Sequence, residues 1–216
     1  MRLKKWFNLM LGVVALATPA AAFAATKPGL QFQVDGVGAG PVGKYPSYGN
    51  IAASRLYSEG PGPGFMVGAS MGLTSHFVLG VRTGIYHNEK SDVVPLFPGV
   101  ILRRKLTSIP VHTVLQYRGR LPWWKLGMYV ESGVGVTSHT ARAEIDIFDP
   151  PVVVSRYQKD FAFLGGAGLS CPAMKGVDVI LSSDYHQALT RDGDVWKGGD
   201  NPKAIVVSLG IRFPQY

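Results

Sequence analysis

The sequence predicts an all-β fold, an eight-stranded antiparallel up-and-down transmembrane β-barrel, and three observations carry that reading. Period-two alternation of apolar and polar residues recurs in eight segments, whereas no amphipathic helical period lasts beyond two turns in a chain with 27 glycines. The connections between those segments alternate between long and short. Nearly every charge inside the segments falls on one face, opposite the large apolar groups.

The chain opens with Arg2, Lys4 and Lys5, then an apolar run from Leu9 to Leu16, then small residues ending at Ala24. That is the layout of a secretory signal peptide, and the run is shorter than the roughly 20 residues a spanning helix needs. Residues 1–24 are therefore expected to be a cleaved signal and residues 25–216 one barrel domain. Cleavage would lower the formal charge from +8 to +5. This modest basic excess has no Lys/Arg-rich block, so it suits an anionic membrane surface and no nucleic-acid partner is expected. Cys171 is the lone cysteine, which excludes an intramolecular disulfide and a cysteine-cluster metal site.

Strands are expected near residues 29–38, 63–74, 76–88, 104–117, 123–138, 159–171, 175–188 and 203–213. The connections 39–62, 89–103, 139–158 and 189–202 are long, and those at Ser75, 118–122 and 172–174 are short. An even strand number with short turns on one rim and long loops on the other is the plan of an outer-membrane barrel, with both termini at the periplasmic rim. Each segment meets the roughly 9–11 tilted residues needed to cross the hydrocarbon layer.

The faces give an independent test. In the third strand Phe77, Leu79, Val81, Thr83 and Ile85 oppose His76, Val78, Gly80, Arg82, Gly84 and Tyr86. In the fifth, Trp124, Leu126, Met128, Val130, Val134 and Val136 oppose Lys125, Gly127, Tyr129, Glu131, Gly133 and Gly135. The same parity sends Asp35, His112, Gln116, Asp178, Asp184, His186 and Arg212 to the polar face. An Arg or Lys facing lipid at mid-membrane costs roughly 2–4 kcal/mol, so the polar face is the lumen, the reverse of a soluble ligand-binding barrel. Asp35, Arg82, Lys125, Glu131, Asp178, Asp184 and Arg212 are predicted to form a lumen charge network, paired because isolated buried charges are expensive. Interior side chains fill a barrel of this size, so no wide pore is expected.

The last strand reads AIVVSLGIRF, from Ala204 to Phe213, and closure requires it to pair with the first, because unpaired amides in lipid cost several kcal/mol each. Trp123, Trp124, Phe213 and Tyr216 would mark the periplasmic interface and Tyr86, Tyr185 and Trp196 the outer one, as aromatic girdles do.

The stretch IPVHTVLQYRGRLPWWKLGMYVESGVGVT combines an Ile-Pro strand, a short Arg-rich turn and a glycine-alternating strand. It resembles the outer membrane protein β-barrel family, which includes the barrel of outer membrane protein A, and the ending Leu209-Gly210-x-x-Phe213 matches that family's LG-x-x-F terminus. The resemblance spans the mature chain. It implies a porin-like barrel in a Gram-negative outer membrane, and in this chain no periplasmic domain is expected after strand eight. It also implies recognition of Leu209, Ile211 and Phe213 by the outer-membrane insertion machinery. Pro214, Gln215 and Tyr216 extend the chain beyond the usual final aromatic.

Function is expected at the cell surface. Val93–Leu102 and Ile145–Val154 place apolar residues, among them Leu96, Phe97 and Phe148, beside prolines, and Asp149-Pro150-Pro151 reads as the tip of a hairpin extending beyond the membrane. Arg103, Arg104 and Lys105 are candidates for contacting lipopolysaccharide phosphates, since guanidinium and ammonium groups suit phosphate oxygens. The expected partners are outer-membrane lipids and lipopolysaccharide, and a monomer is expected. The alternatives are a lipid A modifying enzyme, by acyl transfer or deacylation, and a narrow small-solute channel. A catalytic triad would draw on Ser138, His139, Ser182, Ser183, Asp184, His186 and His87, which parity scatters over both faces. No catalytic residue, cofactor or metal is assigned, because the five histidines lack ligand spacing and GVGAGPVG and GPGPG lack a phosphate-loop context.

Overall fold

Eight strands follow one another around a closed antiparallel barrel in a computed structural model that describes residues 29–41, 62–93, 101–121, 126–146, 151–189 and 203–214. They are β1 (Leu30–Pro41), β2 (Gly62–Gly72), β3 (Phe77–Val93), β4 (Ile101–Arg120), β5 (Gly127–Asp146), β6 (Val152–Met174), β7 (Val177–Leu189) and β8 (Lys203–Pro214). Each strand pairs with its sequence neighbour. The ring closes through β1 and β8, from Gln31↔Pro214 to Pro41↔Ala204, so no backbone edge is left bare at lipid depth.

One rim carries both strand termini and the tight connections. At the β2–β3 turn, the Leu73 and Thr74 amides donate to the Phe77 carbonyl, while the Thr74 hydroxyl accepts from the amides of His76 and Phe77. The β4–β5 turn is held by the Leu121 amide donating to the Leu126 carbonyl, and Arg118 donates to the His76 carbonyl, tying two turns together. Between β6 and β7, Lys175 and Gly176 make a two-residue turn in which Gly176 has φ 78°, a conformation that glycine adopts at no steric cost. By the plan of outer-membrane barrels this is the periplasmic rim.

Alternation along each strand fixes the two surfaces. The outer surface exposes Phe32, Phe65, Leu79, Val81, Val111, Val134, Phe161, Leu181, Leu209 and Ile211, while the inner one buries Asp35, Met66, Arg82, His112, Glu131, Leu164, Asp184 and Arg212. Such an inside-out arrangement suits lipid outside and a packed polar interior.

The strands are unequal. β3 to β6 run 17, 20, 20 and 23 residues, against 12, 11, 13 and 12 for β1, β2, β7 and β8. The β2–β3 ladder ends at Gly64↔Tyr86 and the β6–β7 ladder at Phe161↔Leu189. Pairing among β3 to β6 nonetheless continues to Val93↔Ile101, Ile101↔Asp146 and Ile145↔Val152. Four strands therefore rise above the ring as a wall on the rim opposite the turns. Much of what the sequence marks as long loops, 89–103 and 139–158, is strand in this wall. At the opposite rim the described part of β5 starts at Gly127, and residues 123–125 lie outside the described residues.

Candidate functional site: the lumen and the outer wall

The middle of the lumen is organised by Arg82, projected inward from β3 between Val81 and Thr83. Its guanidinium donates to Asp184 on β7 at 3.2 Å, to Asp35 on β1 at 3.4 Å, and to Glu131 on β5. One cation thus joins strands from all sides of the ring. Gln33 donates to both Asp35 oxygens at 3.0 and 2.8 Å, and Gln116 donates to Glu131, so amides supply donors that a single guanidinium cannot. Two residues along β7 from Asp184, the hydroxyl of Ser182 shares a hydrogen bond with that of Ser208 on β8.

Toward the periplasmic rim a second set takes over. Arg212 donates to Asp178 at 3.0 Å. Arg118 donates to the Gln116 side-chain carbonyl at 2.6 and 3.0 Å and to Gln31. Toward the outer rim the lumen becomes apolar and aromatic, where Val37, Ala39, Met66, Tyr86, Ala204 and Val206 pack together. His112 and His186 meet edge to face there, ring centres 5.2 Å apart, and Ser108 and His139 share a hydrogen bond of 3.0 Å.

The structure thus brings Asp35, Arg82, Glu131 and Asp184 into one cluster and sets Asp178 with Arg212 in another. Lys125 lies outside the described residues. Arg118 and Asp160 were missed by sequence reasoning, although each shares the parity of known inward residues: Arg118 that of Gln116, and Asp160 that of Ala162 and Leu164. Extending the expected fourth strand by one residue would have found Arg118. Tyr86 corrects the aromatic assignment: it is 4% exposed in the lumen, edge-on to His186, and not an interfacial girdle residue. Tyr185 and Phe213 do face outward, whereas Trp123, Trp124, Trp196 and Tyr216 lie outside the described residues, as do Leu96, Phe97, Phe148, Asp149 and Pro150.

On the outer surface of the wall, polar groups replace apolar ones. Along β4 the outward positions run from Leu115, Thr113, Val111 and Ile109 up to Thr107, Lys105 and Arg103. Lys105 pairs with Glu89 of β3 at 3.2 Å, and Arg142 of β5, directly opposite Lys105 in register, approaches Glu144 at 3.7 Å. Lys159 lies 5.9 Å from the centre of the Tyr157 ring, whose hydroxyl donates to Ser138 at 3.3 Å. Arg103, Lys105 and Arg142 are exposed on this surface, and the side chain of Arg104 lies outside the described residues. Arg104 stands in register with Lys90 and Ala143.

Solved structures share this architecture. Neisserial surface protein A matches over 86% of this chain and 97% of its own, with a TM-score of 0.52 and 17% identity. The outer membrane protein OprG of Pseudomonas aeruginosa matches over 89% and 98%, with a TM-score of 0.53 and 13% identity. The fold is that of the eight-stranded outer-membrane β-barrels. The outer membrane protease OmpT of Escherichia coli also matches, at a TM-score of 0.50 and 7% identity over 90% of this chain and all of that one. No protein-family model matches the sequence, and no curated protein is significantly similar to it.

In this outer-membrane barrel Leu209, Ile211 and Phe213 line the lipid-facing side of the closing strand, with Phe213 opposite Phe32 of β1. The residues considered for a triad are dispersed. Ser183 is exposed on the outside of β7, Ser138 takes the Tyr157 hydrogen bond outside β5, and His139 and His186 are buried inside. His87 is exposed on β3 and bonds Thr107 at 2.9 Å, Asp184 serves Arg82, and Ser182 bonds Ser208.

Proposed function

We propose that this barrel works at the cell surface of a Gram-negative bacterium, setting its β3–β6 wall among lipopolysaccharide molecules and contacting their phosphates through Arg103, Lys105 and Arg142. The supporting observation is where these cations stand. Lys105 is four residues above Ile109, about 13 Å along a strand, which is headgroup depth if Ile109 and Val111 face acyl chains. Arg103 follows two residues higher, exposed and with no ion pair among the described residues. A guanidinium there can bind a phosphate through two parallel hydrogen bonds. Residues 1–24 serve as the export signal in this reading and residues 25–216 as the barrel. The filled lumen, with Arg82 spanning it, supports a surface role over passage of solutes.

The test is binding of the refolded barrel, in phospholipid nanodiscs, to lipopolysaccharide and to its enzymatically dephosphorylated form. The expected result is tighter binding of the phosphorylated form and at least tenfold weaker binding by the triple variant Arg103→Glu, Lys105→Glu, Arg142→Glu. Equal binding by parent and variant would refute the phosphate contact.

A further inference from the structure

We propose that the lumen passes protons between the outer and the periplasmic rim along a file of buried side chains, with His112 and His186 as relays, while hydrated ions and larger solutes are excluded. The inference starts from these two imidazoles. His112 of β4 is 0% exposed and His186 of β7 is 4% exposed, and among the described residues none of their four ring nitrogens has a hydrogen-bond partner. Buried polar atoms are nearly always hydrogen-bonded, and each exception needs a cause. The ion-pair network does not supply one, because Arg82 donates to the carboxylates of Asp35, Glu131 and Asp184. Filling space does not require imidazole either, since Met66, Leu164, Ile180 and Val206 fill other inward positions with hydrocarbon. The two rings meet edge to face across the lumen with centres 5.2 Å apart, and a neutral imidazole carries one donor and one acceptor. Such a pair is suited to handing a proton on.

Polar groups continue the file in both directions. On the outer side His186 lines a cavity of about 20 Å³ together with Tyr86, Ser108, Thr137, His139 and Lys203, room for one water molecule and too little for a hydrated ion. Ser108 and His139 share a hydrogen bond of 3.0 Å there, and Asp160, buried opposite Thr137 in register, adds a carboxyl group at this end. On the inner side His112 stands in register with Arg82, and Asp184 lies two residues from His186 on the same face of β7. Asp35, Glu131 and Asp184 set three carboxyl groups against one guanidinium, so the cluster has acid groups able to take up a proton and release it. Two residues nearer the turns, Tyr129 on β5 and Ser182 on β7 are buried in the lumen, and Ser182 bonds Ser208 of β8. Gln116 then joins Glu131 to Arg118, and Asp178 and Arg212 stand at the same end.

The relay step balances. An imidazole takes a proton on its bare nitrogen and gives up the one on its other nitrogen, which leaves the ring neutral in its second tautomer. A flip of the ring restores the first. The cations a proton must pass are Lys203 at the cavity and Arg82 beyond the rings, and the three carboxyl groups around Arg82 offset the second. An ion has no such route, because it would have to carry its water shell through side chains that fill the interior.

The test uses the mature barrel in phosphatidylcholine liposomes without lipopolysaccharide, so that its outcome is separate from that of the phosphate contact. An entrapped pH-sensitive dye follows proton entry after a pH step, with potassium and valinomycin holding the membrane potential at zero, and an entrapped chloride-quenched dye follows chloride in parallel. Proton flux is expected at least tenfold above that of protein-free liposomes, with chloride flux at the protein-free level. The double variant His112→Leu, His186→Leu, checked for folding by its heat-dependent gel mobility, is expected to lower proton flux at least fivefold. The single variants His112→Gln and His186→Gln keep a polar side chain that cannot shuttle a proton between two ring nitrogens, and each is expected to lower the flux as well. Three results would each overturn the proposal: proton flux at the protein-free level, flux unchanged in the folded variants, or chloride flux that rises together with proton flux. The last would make the lumen an ordinary aqueous pore.

Discussion

Replacing Arg82 by Met tests the lumen network at its hub. The substitution keeps an unbranched chain of similar length and removes the charge, leaving Asp35, Glu131 and Asp184 around an apolar tip. The guanidinium is 3% exposed and sits 3.2 to 3.4 Å from two of the carboxylates. At an effective dielectric near 20, each such contact is worth about 5 kcal/mol of Coulomb energy. Much of that offsets the cost of removing the ions from water, so the measurable effect is smaller. Removing one partner of a buried pair generally costs about 3–5 kcal/mol, and here it strands three acids rather than one. The expected loss is therefore at least about 3–5 kcal/mol in urea unfolding of the barrel in lipid vesicles, followed by the heat-dependent gel shift. Adding Asp35→Asn, Glu131→Gln and Asp184→Asn to Arg82→Met should recover most of it, because amides of the same shape need no counter-charge. A single variant within about 1 kcal/mol of the parent, or a quadruple variant no more stable than the single one, would refute the reasoning.

Other perturbations probe the packing, the lipid face and the terminus. A Cβ at Gly210 would lie 2.0 Å from Asp35 Oδ1 and 2.4 Å from the Val34 carbonyl, whereas one at Gly36 would come no closer than 3.7 Å to the Leu209 carbonyl. Gly210→Ala is expected to cost about 1–3 kcal/mol by overpacking and Gly36→Ala far less, read by the same unfolding curves. Replacing Leu181, 52% exposed and opposite Leu209 midway along β7, by Lys should cost roughly 2–4 kcal/mol in lipid, and a neutral result would mean that this face does not meet the hydrocarbon. If Phe213 belongs to an insertion signal, Phe213→Ala should slow assembly by reconstituted insertion machinery several-fold more than deletion of Tyr216, as followed by appearance of the heat-shifted band.

Parity was legible in the sequence because two solvents wrote it. Within the membrane every strand separates lipid from lumen, so Phe77, Leu79 and Val81 had to alternate with Val78, Gly80 and Arg82, and Asp35, Glu131 and Asp184 could be placed inside without a structure. Strand ends were less legible because that pressure stops at the rim. From Val152 to Tyr157 every residue is exposed whichever way it points, so no period-two pattern is imposed, and a strand reading as loop is the natural error. The same limit explains Arg118, which follows the inward parity of Gln116 but sits where the sequence turns Arg- and Gly-rich and resembles a turn.

Which charges share a partner depends on register, and register joins residues far apart in the chain. Yet the glycines carry part of that information. Arg82 stands opposite Gly68, Asp184 opposite Gly166, Asp35 opposite Gly210, His112 opposite Gly135 and Tyr129 opposite Gly168. At Gly166 an added Cβ would meet Asp184 Oδ1 at 2.1 Å, and at Gly168 the Tyr129 ring at 2.5 Å. Each large inward group therefore occupies the volume that its cross-strand neighbour gives up, as a small barrel with a filled interior requires. Glycine at inward positions is thus the counterpart of the polar core, and the alternation that marks the fifth strand in the sequence is the imprint of His112 and its neighbours on the strand beside it.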